Sequence, residues 1–163
     1  MTIGEGTSLL GLLRGWLLER PAVKALAIFN DYGPADRNSN FITSRVGKCV
    51  RVEVHCTGRV PVRVTSIGFE MSNGQVLELA SGDSLPKVLN RPDVCEGWDY
   101  REGVVELLTA AGPKVKLKQI RVAASPDHVF KRRLPKGWDR FPEIDPPVSP
   151  PGDGGPNFFM GWA

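Results

Sequence analysis

Apolar and polar side chains alternate along most of the chain between residues 49 and 133, which is the pattern of half-buried β-strands. The clearest case is CVRVEVHC at 49–56, where Val50, Val52 and Val54 share one face and polar side chains occupy the other. Further stretches of this character lie at 23–29, 62–71, 75–80, 94–100, 114–124 and 128–135. Turn residues separate them about every ten positions, so the pattern predicts an antiparallel β-sandwich of seven short strands.

Two of the predicted strands change phase part-way along. In 62–71 the inward positions move from Val64 to Ile67, and in 114–124 they move from Leu117 to Ile120. A β-bulge restores a single inward face after such a slip, and the shared slip indicates that the two strands are neighbours. The predicted core then consists of Val50, Val52, Val54, Val62, Val64, Ile67, Phe69, Val115, Leu117, Ile120 and Val122.

Helical spacing occurs in two places. Residues 101–112 suit a short inserted helix that ends at Gly112. Between Ser8 and Pro21 a second helix is predicted, amphipathic and very apolar on one face. That face carries Leu9, Leu12, Leu13, Trp16 and Leu17. This helix packs on its own domain, binds a groove on a partner, or lies on a membrane surface. No stretch is apolar over the roughly 20 residues that a transmembrane helix needs.

The last part of the chain combines a stiff stretch with an apolar tip. Residues 142–157 contain six prolines and favour an extended backbone. The tip that follows carries Phe158, Phe159, Met160 and Trp162. Exposed aromatic clusters promote aggregation, so the tip is predicted to be buried, either on another chain or against its own domain. The predicted organisation is a helix over 1–22, a β-domain over 23–140 and an extended arm over 141–163.

Positive charge is concentrated in one part of the chain. The net charge of the 163 residues is +3, but nine Lys or Arg and only two Asp lie between Gly112 and Arg140. Alternation places Lys114, Lys116 and Lys118 on one predicted strand face. The neighbouring strand adds Lys131, Arg132 and Arg133. This surface is either a solvated face or protected edge, or a contact site for an acidic protein. Nucleic acid is the weaker partner, because stacking aromatics are sparse and contact would be confined to phosphates.

Residues suited to catalysis or metal binding are few. His55 and His128 fall on predicted outward faces and have no further ligands at metal-site spacing. Cys49 and Cys56 lie on opposite faces of one strand, which disfavours a disulfide between them, and Cys95 is the third cysteine. The chain has no phosphate-binding or dinucleotide-binding motif. We therefore predict no enzymatic activity, no cofactor and no metal site.

Several local motifs occur together between Val50 and Pro135. They are the string VRVEVHCTGRVPVRVTSIGFEM, the Leu-Pro pair at 85–86, a Trp-bearing strand, a short helix closed by Gly112, and a final KRRLP. By these motifs the region resembles a family of small bacterial and actinophage immunoglobulin-like domains, which implies an Ig-like sandwich. The chain departs from the family at Cys56-Thr57, where Asn-Thr is typical, and at 125–128, where an Asp-Gly turn is typical.

The resemblance and the terminal appendages together imply a structural protein of a phage particle. Such a protein is a capsid decoration, minor capsid or tail accessory subunit, located in the virion after assembly in the host cytoplasm. Its partners are other capsid or tail proteins, bound through the terminal segments and the basic surface. The alternative is a host-encoded Ig-like adaptor module, cytoplasmic or held at a membrane by the N-terminal helix.

Overall fold

The computed structural model describes residues 20–32, 46–125 and 127–148, except for the side chains of Asp31, Tyr32, Val46 and Ser81. Within these ranges the strands are β1 (Val23–Tyr32), β2 (Val46–Cys56), β3 (Val62–Met71), β4 (Val76–Glu78), β5 (Ser81–Gly82), β6 (Lys87–Leu89), β7 (Val94–Tyr100), β8 (Leu117–Ser125) and β9 (His128–Arg133). Helix α1 (Arg101–Ala111) joins β7 to β8, and a short 3-10 helix covers Trp138–Arg140. The N-terminal helix and the apolar tip predicted from the sequence lie outside the described residues.

The strands form two antiparallel sheets that pack against each other. The first sheet has the order β1-β2-β7-β5, and the second has the order β4-β3-β8-β9, with β6 also paired to β3. Helix α1 follows β7 directly and carries the chain from the first sheet to the second. The prediction of a mostly β fold with antiparallel sheets and one inserted helix is therefore confirmed.

The core lies between the inner faces of the two sheets. Ten of the eleven predicted core side chains are buried, because alternation along each strand sends them to the same side. The exception is Val115, which precedes β8 and is only partly buried against the core. Residues from outside the strands complete the core: Val104 and Leu108 from α1, Trp138 from the 3-10 helix, and Phe141 beyond it. Phe141 is fully buried, although it follows the predicted end of the domain at residue 140.

The predicted pair of bulges is confirmed in the ladder between β3 and β8. The register passes from Val64 opposite Ala124 to Ser66 opposite Ala123, which leaves Thr65 as the extra residue of β3. At the other end Lys118 is the extra residue of β8, between Gln119 and Leu117. The two strands are neighbours, as their shared phase slip indicates.

Two glycines of the second sheet are required by backbone geometry. Gly74 adopts a φ of 85° in the turn between β3 and β4, which supports the tight Asn-Gly hairpin predicted there. A Cβ at Gly68 would lie 2.0 Å from the carbonyl oxygen of Leu77, so only glycine permits β4 to approach β3 so closely.

The segment between Ser81 and Asp93 differs from its prediction as a connection. It contains β5, which pairs with β7, and β6, which pairs with β3. Strands of two and three residues are too short for an alternating pattern to be visible in the sequence, and their hydrogen-bonding partners are more than ten residues away.

Candidate interaction surfaces

The central basic residues surround a single carboxylate. Lys118 and Lys131 place their Nζ atoms 3.3 Å and 2.6 Å from the two carboxylate oxygens of Glu70. Glu70 lies on the outer face of the second sheet, yet its side chain is only 11% exposed. Hydrogen bonds from Lys131 and Gln119, and then from Lys118, lower the pKa of Glu70 to about 2. Two of the predicted partner-binding lysines are therefore compensated within the domain.

The three lysines predicted on one strand face do not share it. Strand β8 begins at Leu117, so Lys114 and Lys116 precede it, and the bulge at Lys118 breaks the alternation. Lys116 forms an ion pair with Glu143, with 3.2 Å between Nζ and Oε1. The prediction of a common face for Lys114, Lys116 and Lys118 is therefore wrong, because the strand begins only at Leu117 and the bulge falls on Lys118 itself.

Arg132 also lies on a different side from that predicted. It is aligned with the inward-facing Ile120, so its side chain turns away from the outer face. Its Nη2 donates a hydrogen bond of 2.9 Å to the carbonyl oxygen of Val23 in β1, which links the two sheets at their edge. Lys131 and Arg133 do lie on the outer face, beside Arg121 and Gln119. The outer face thus carries Arg121 and Arg133 in addition to the Glu70 cluster.

The chain after β9 is anchored to the domain at two levels. The indole of Trp138 packs 5.8 Å from the ring of Phe69 and 6.2 Å from the ring of Phe141, measured between centroids. Further along, the carboxylate of Asp145 binds Lys48 of β2 and Arg101 at the start of α1. We call Asp145, Lys48 and Arg101 the root clamp. Lys48 lies 97 residues and Arg101 lies 44 residues before Asp145 in the sequence. Local sequence patterns therefore could not predict the root clamp.

Electrostatics favour the charged form of the clamp carboxylate. Burial raises the pKa of Asp145, but hydrogen bonds and charge from Lys48 and Arg101 outweigh it and hold the pKa below its ordinary value. Arg101 also donates from Nη2 to the carbonyl oxygen of Pro142 at 3.3 Å, and its guanidinium lies 5.9 Å from the ring centre of Phe141. The segment from Phe141 to Asp145 is therefore held in a fixed position.

The outer face of the first sheet carries a charge network. Glu53 and Glu96 lie directly opposite each other in the register of β2 and β7. Arg51 binds both carboxylates, at 3.0 Å and 3.5 Å, and His55 lies 3.4 Å from Glu53. Like charges placed opposite each other are unfavourable, so Arg51 stabilises the pairing of these strands.

An apolar groove of about 680 Å³ separates the C-terminal half of α1 from the hairpin of β3 and β4. Its apolar walls are formed by Met71, Val76, Leu77, Leu107, Ala110 and Ala111. Val76 is 39% exposed and Leu107 is 48% exposed, so the groove is open to solvent.

The cysteines are buried free thiols. Burial raises the pKa of Cys49 and of Cys95 to about 11, so both remain protonated at neutral pH. His128 stacks on Phe130 at 6.4 Å between ring centres. No group of three or more His, Cys, Asp or Glu within the described ranges is placed to hold a metal ion.

Comparisons with known proteins give no relative for this chain. No protein-family model matches it, and neither a curated protein nor a solved structure is significantly similar. In the described part of the chain, no helix is long and apolar enough to cross a membrane.

Proposed function

We propose that this chain is a non-enzymatic structural subunit of a phage particle, with an Ig-like sandwich as its body and terminal segments that bind neighbouring subunits. The observation that supports this proposal best is the root clamp at Asp145. It fixes the chain immediately before Pro146 and Pro147, where the stiff sequence of the arm begins. A tail without a function needs no such anchor, whereas a binding arm gains from a defined direction of departure.

Anchoring lowers the entropic cost of binding through the arm. Trp138 and Phe141 are buried in the core, and Asp145 is held by two cations, so little of the segment from 138 to 145 has to be ordered on docking. The prolines that follow restrict the backbone further. The aromatic tip at 158–162 supplies the apolar side chains that dominate binding energy at protein interfaces.

The basic outer face of the second sheet is a second proposed contact. Glu70 compensates Lys118 and Lys131, while Arg121 and Arg133 have no ion pair within the described residues. A guanidinium pair of this kind suits carboxylates on a neighbouring protein. Such a contact steers association and weakens as the salt concentration rises.

The proposal is tested by removing residues 157–163 and measuring incorporation into particles of the phage or prophage that encodes the chain. We expect the truncated chain to keep its melting temperature and to be lost from sedimented particles. A full-length variant with Phe158, Phe159, Met160 and Trp162 changed to Ser controls for arm length and should behave in the same way. Failure of the intact chain to sediment with purified particles, together with flotation on lipid vesicles, would instead support the host adaptor.

The clamp itself is tested by Asp145→Asn. We expect weaker incorporation with little loss of thermal stability, because the core contacts of Trp138 and Phe141 remain. The matched control is Asp139→Asn, in the same segment, whose side chain is exposed and forms no ion pair within the described residues. Equal incorporation of Asp145→Asn and Asp139→Asn would show that the direction in which the arm leaves the domain does not affect binding.

A further inference from the structure

The free side of β1 is revealed by one hydrogen bond. Arg132 of β9 donates to the carbonyl oxygen of Val23, so this carbonyl points away from β2. Backbone groups alternate in direction along an antiparallel strand, so Ala25 and Ala27 direct their N–H and C=O groups to the same side as Val23. The pairing with β2 supports this direction. Cys56 lies opposite Val23 and donates its N–H to the carbonyl oxygen of Asp93, so Val23 and Cys56 do not hydrogen-bond to each other.

Beyond Val23, whose carbonyl is covered by Arg132, this edge carries little of the usual protection against strand addition. Natural edge strands carry charges, prolines or bulges. From Val23 to Phe29 the only charged side chain is Lys24, there is no proline, and the register with β2 is continuous. By contrast β9, an edge strand of the second sheet, carries three consecutive cations at 131–133. Within the described residues no strand pairs with β1 on the side to which the backbone groups of Ala25 and Ala27 point.

The second sheet extends beneath this edge. Strand β1 packs over β8, and β9 is the next strand outward. A strand added beside β1 would therefore lie above β9, where Phe130 is only partly buried against the core. We call the space beside β1 and above β9 the notch. Its side is formed by the backbone groups of Ala25 and Ala27, and its base includes the ring of Phe130.

We propose that the notch receives the tip at 158–163 of a second copy, which adds to β1 as an antiparallel strand. The inference rests on the proposed function, in which the arm binds a neighbouring subunit. In an extended strand Phe158, Met160 and Trp162 share one face. These three large side chains cover the notch and pack on Phe130, while Phe159 faces outward. Strand addition of this kind derives affinity from main-chain hydrogen bonds and specificity from alternate side chains.

The arm is long enough to reach a neighbouring copy. The root clamp includes Lys48, whose ammonium lies 5.9 Å from the ring centre of Phe29 in β1. Ala25 and Ala27 are then only about 7–13 Å further along β1, at roughly 3.3 Å per residue. Nine residues lie between Val148 and Phe158. At roughly 3.1 Å per residue nine residues can reach about 28 Å, which is far enough for the tip to meet β1 of a neighbouring copy. Contacts of this head-to-tail kind build rings or filaments.

The decisive experiment uses peptides of residues 156–163 with selected backbone nitrogens methylated, added to the chain that ends at residue 156. In an antiparallel pair the residues that bond to Ala25 and Ala27 are those whose side chains face inward. Methylation of Phe158, Met160 and Trp162 is therefore expected to weaken binding at least tenfold, measured by fluorescence anisotropy. Methylation of Phe159 and Gly161 should leave it within about twofold.

Amide exchange measured by NMR locates the site on the protein. Binding of the unmethylated peptide should slow exchange at Ala25 and Ala27. It should change little at Leu26 and Ile28, whose N–H groups already point toward β2. The full-length chain should self-associate in sedimentation velocity, and removal of 157–163 should leave it monomeric.

Several outcomes would overturn the proposal. Equal binding of both methylated peptides would exclude strand addition, and loss of binding in Leu107→Glu would place the receptor in the groove beside α1. A monomeric full-length chain with slow exchange at Ala25 and Ala27 would show that the tip folds onto its own domain. If removal of 157–163 blocks incorporation into particles but the peptide leaves Ala25 and Ala27 unchanged, the proposed function stands and only this receptor is wrong.

Discussion

The two faces of the second sheet are stabilised by different interactions. Its inner face is built from Ile67 and Phe69 of β3 with Ile120 and Val122 of β8, all of which are buried. Its outer face is organised by Glu70, whose carboxylate collects cations from two other strands. Apolar burial depends only on which side a residue faces, whereas an ion pair depends on which residues lie opposite each other. The direction of a side chain follows from the sequence of its own strand, whereas the partners in an ion pair follow from the register between strands.

This difference also separates the two faces energetically. Burial of apolar surface contributes about 25 cal/mol per Å² without regard to direction. Exposed ion pairs contribute roughly 0–1 kcal/mol and depend on geometry. We therefore expect the inner face to determine whether the chain folds, and the outer face to adjust stability and binding.

The largest effect is expected from Val122→Asp. Val122 is fully buried on the inner face of β8, and an unpaired buried charge costs several kcal/mol, comparable with the total stability of many domains. The variant should fail to give soluble folded protein, as judged by circular dichroism and gel filtration. Its neighbour on the outer face provides the control, because Ala123→Asp should fold with a loss of no more than about 1 kcal/mol. Cooperative unfolding of Val122→Asp would contradict the assigned face.

A smaller effect is expected from Glu70→Gln on the outer face. At neutral pH this change leaves the Lys118 and Lys131 ammonium groups without their shared counter-charge, so the free energy of unfolding should fall by less than for Val122→Asp. Chemical denaturation of both proteins measures the difference. Glu78→Gln is the control, because Glu78 lies on the adjacent β4 and forms no ion pair within the described residues. Identical stability of both variants would mean that the Glu70 cluster is not stabilising.

The same variant has a defined pH dependence. The pKa of Glu70 is lowered in the folded state to about 2 from the ordinary value of 4.5. A lowered folded-state pKa stabilises the protein fully above the unfolded-state value and loses this effect as the pH falls through the folded-state value. The stability difference between the parent and Glu70→Gln should therefore be constant above pH 5 and shrink between about pH 4.5 and pH 2. A difference that is unchanged at pH 2 would contradict the assignment.

The sequence predicted the inner face well and the charge pairs poorly, and both results have a physical reason. Alternation identifies Val62 and Val64 as inward, and the phase slip places the bulge between Val64 and Ile67, because both signals lie within one strand. The structure has the extra residue at Thr65. The partners of Glu70 come from β8 and β9, 48 and 61 positions further along the chain. The root clamp at Asp145 depends on contacts even more remote in sequence, and nothing in the local pattern marks it.

A still smaller effect is expected from Lys118→Glu. The Lys118 side chain is 57% exposed and Lys131 remains 2.6 Å from Glu70, so a carboxylate at position 118 can turn into solvent. We expect the melting temperature to fall slightly at low ionic strength and to recover in 1 M NaCl, where the screening length is about 3 Å. The matched variant Lys114→Glu should leave the melting temperature unchanged at both salt concentrations. An equal decrease in both variants would indicate a response to net charge alone.

The smallest effect is expected at the ion pair between Lys116 and Glu143, which joins the start of β8 to the anchored C-terminal segment. The two side chains are 40% and 68% exposed, so water screens the attraction and ordering of both chains opposes it. A double-mutant cycle with Lys116→Ala and Glu143→Ala should give a coupling free energy of no more than about 0.5 kcal/mol, which disappears at high salt. A coupling above about 1 kcal/mol would show that the outer surface contributes to stability on the scale of the core. The contrast between the two faces would then have to be abandoned for the part of the molecule where the arm begins.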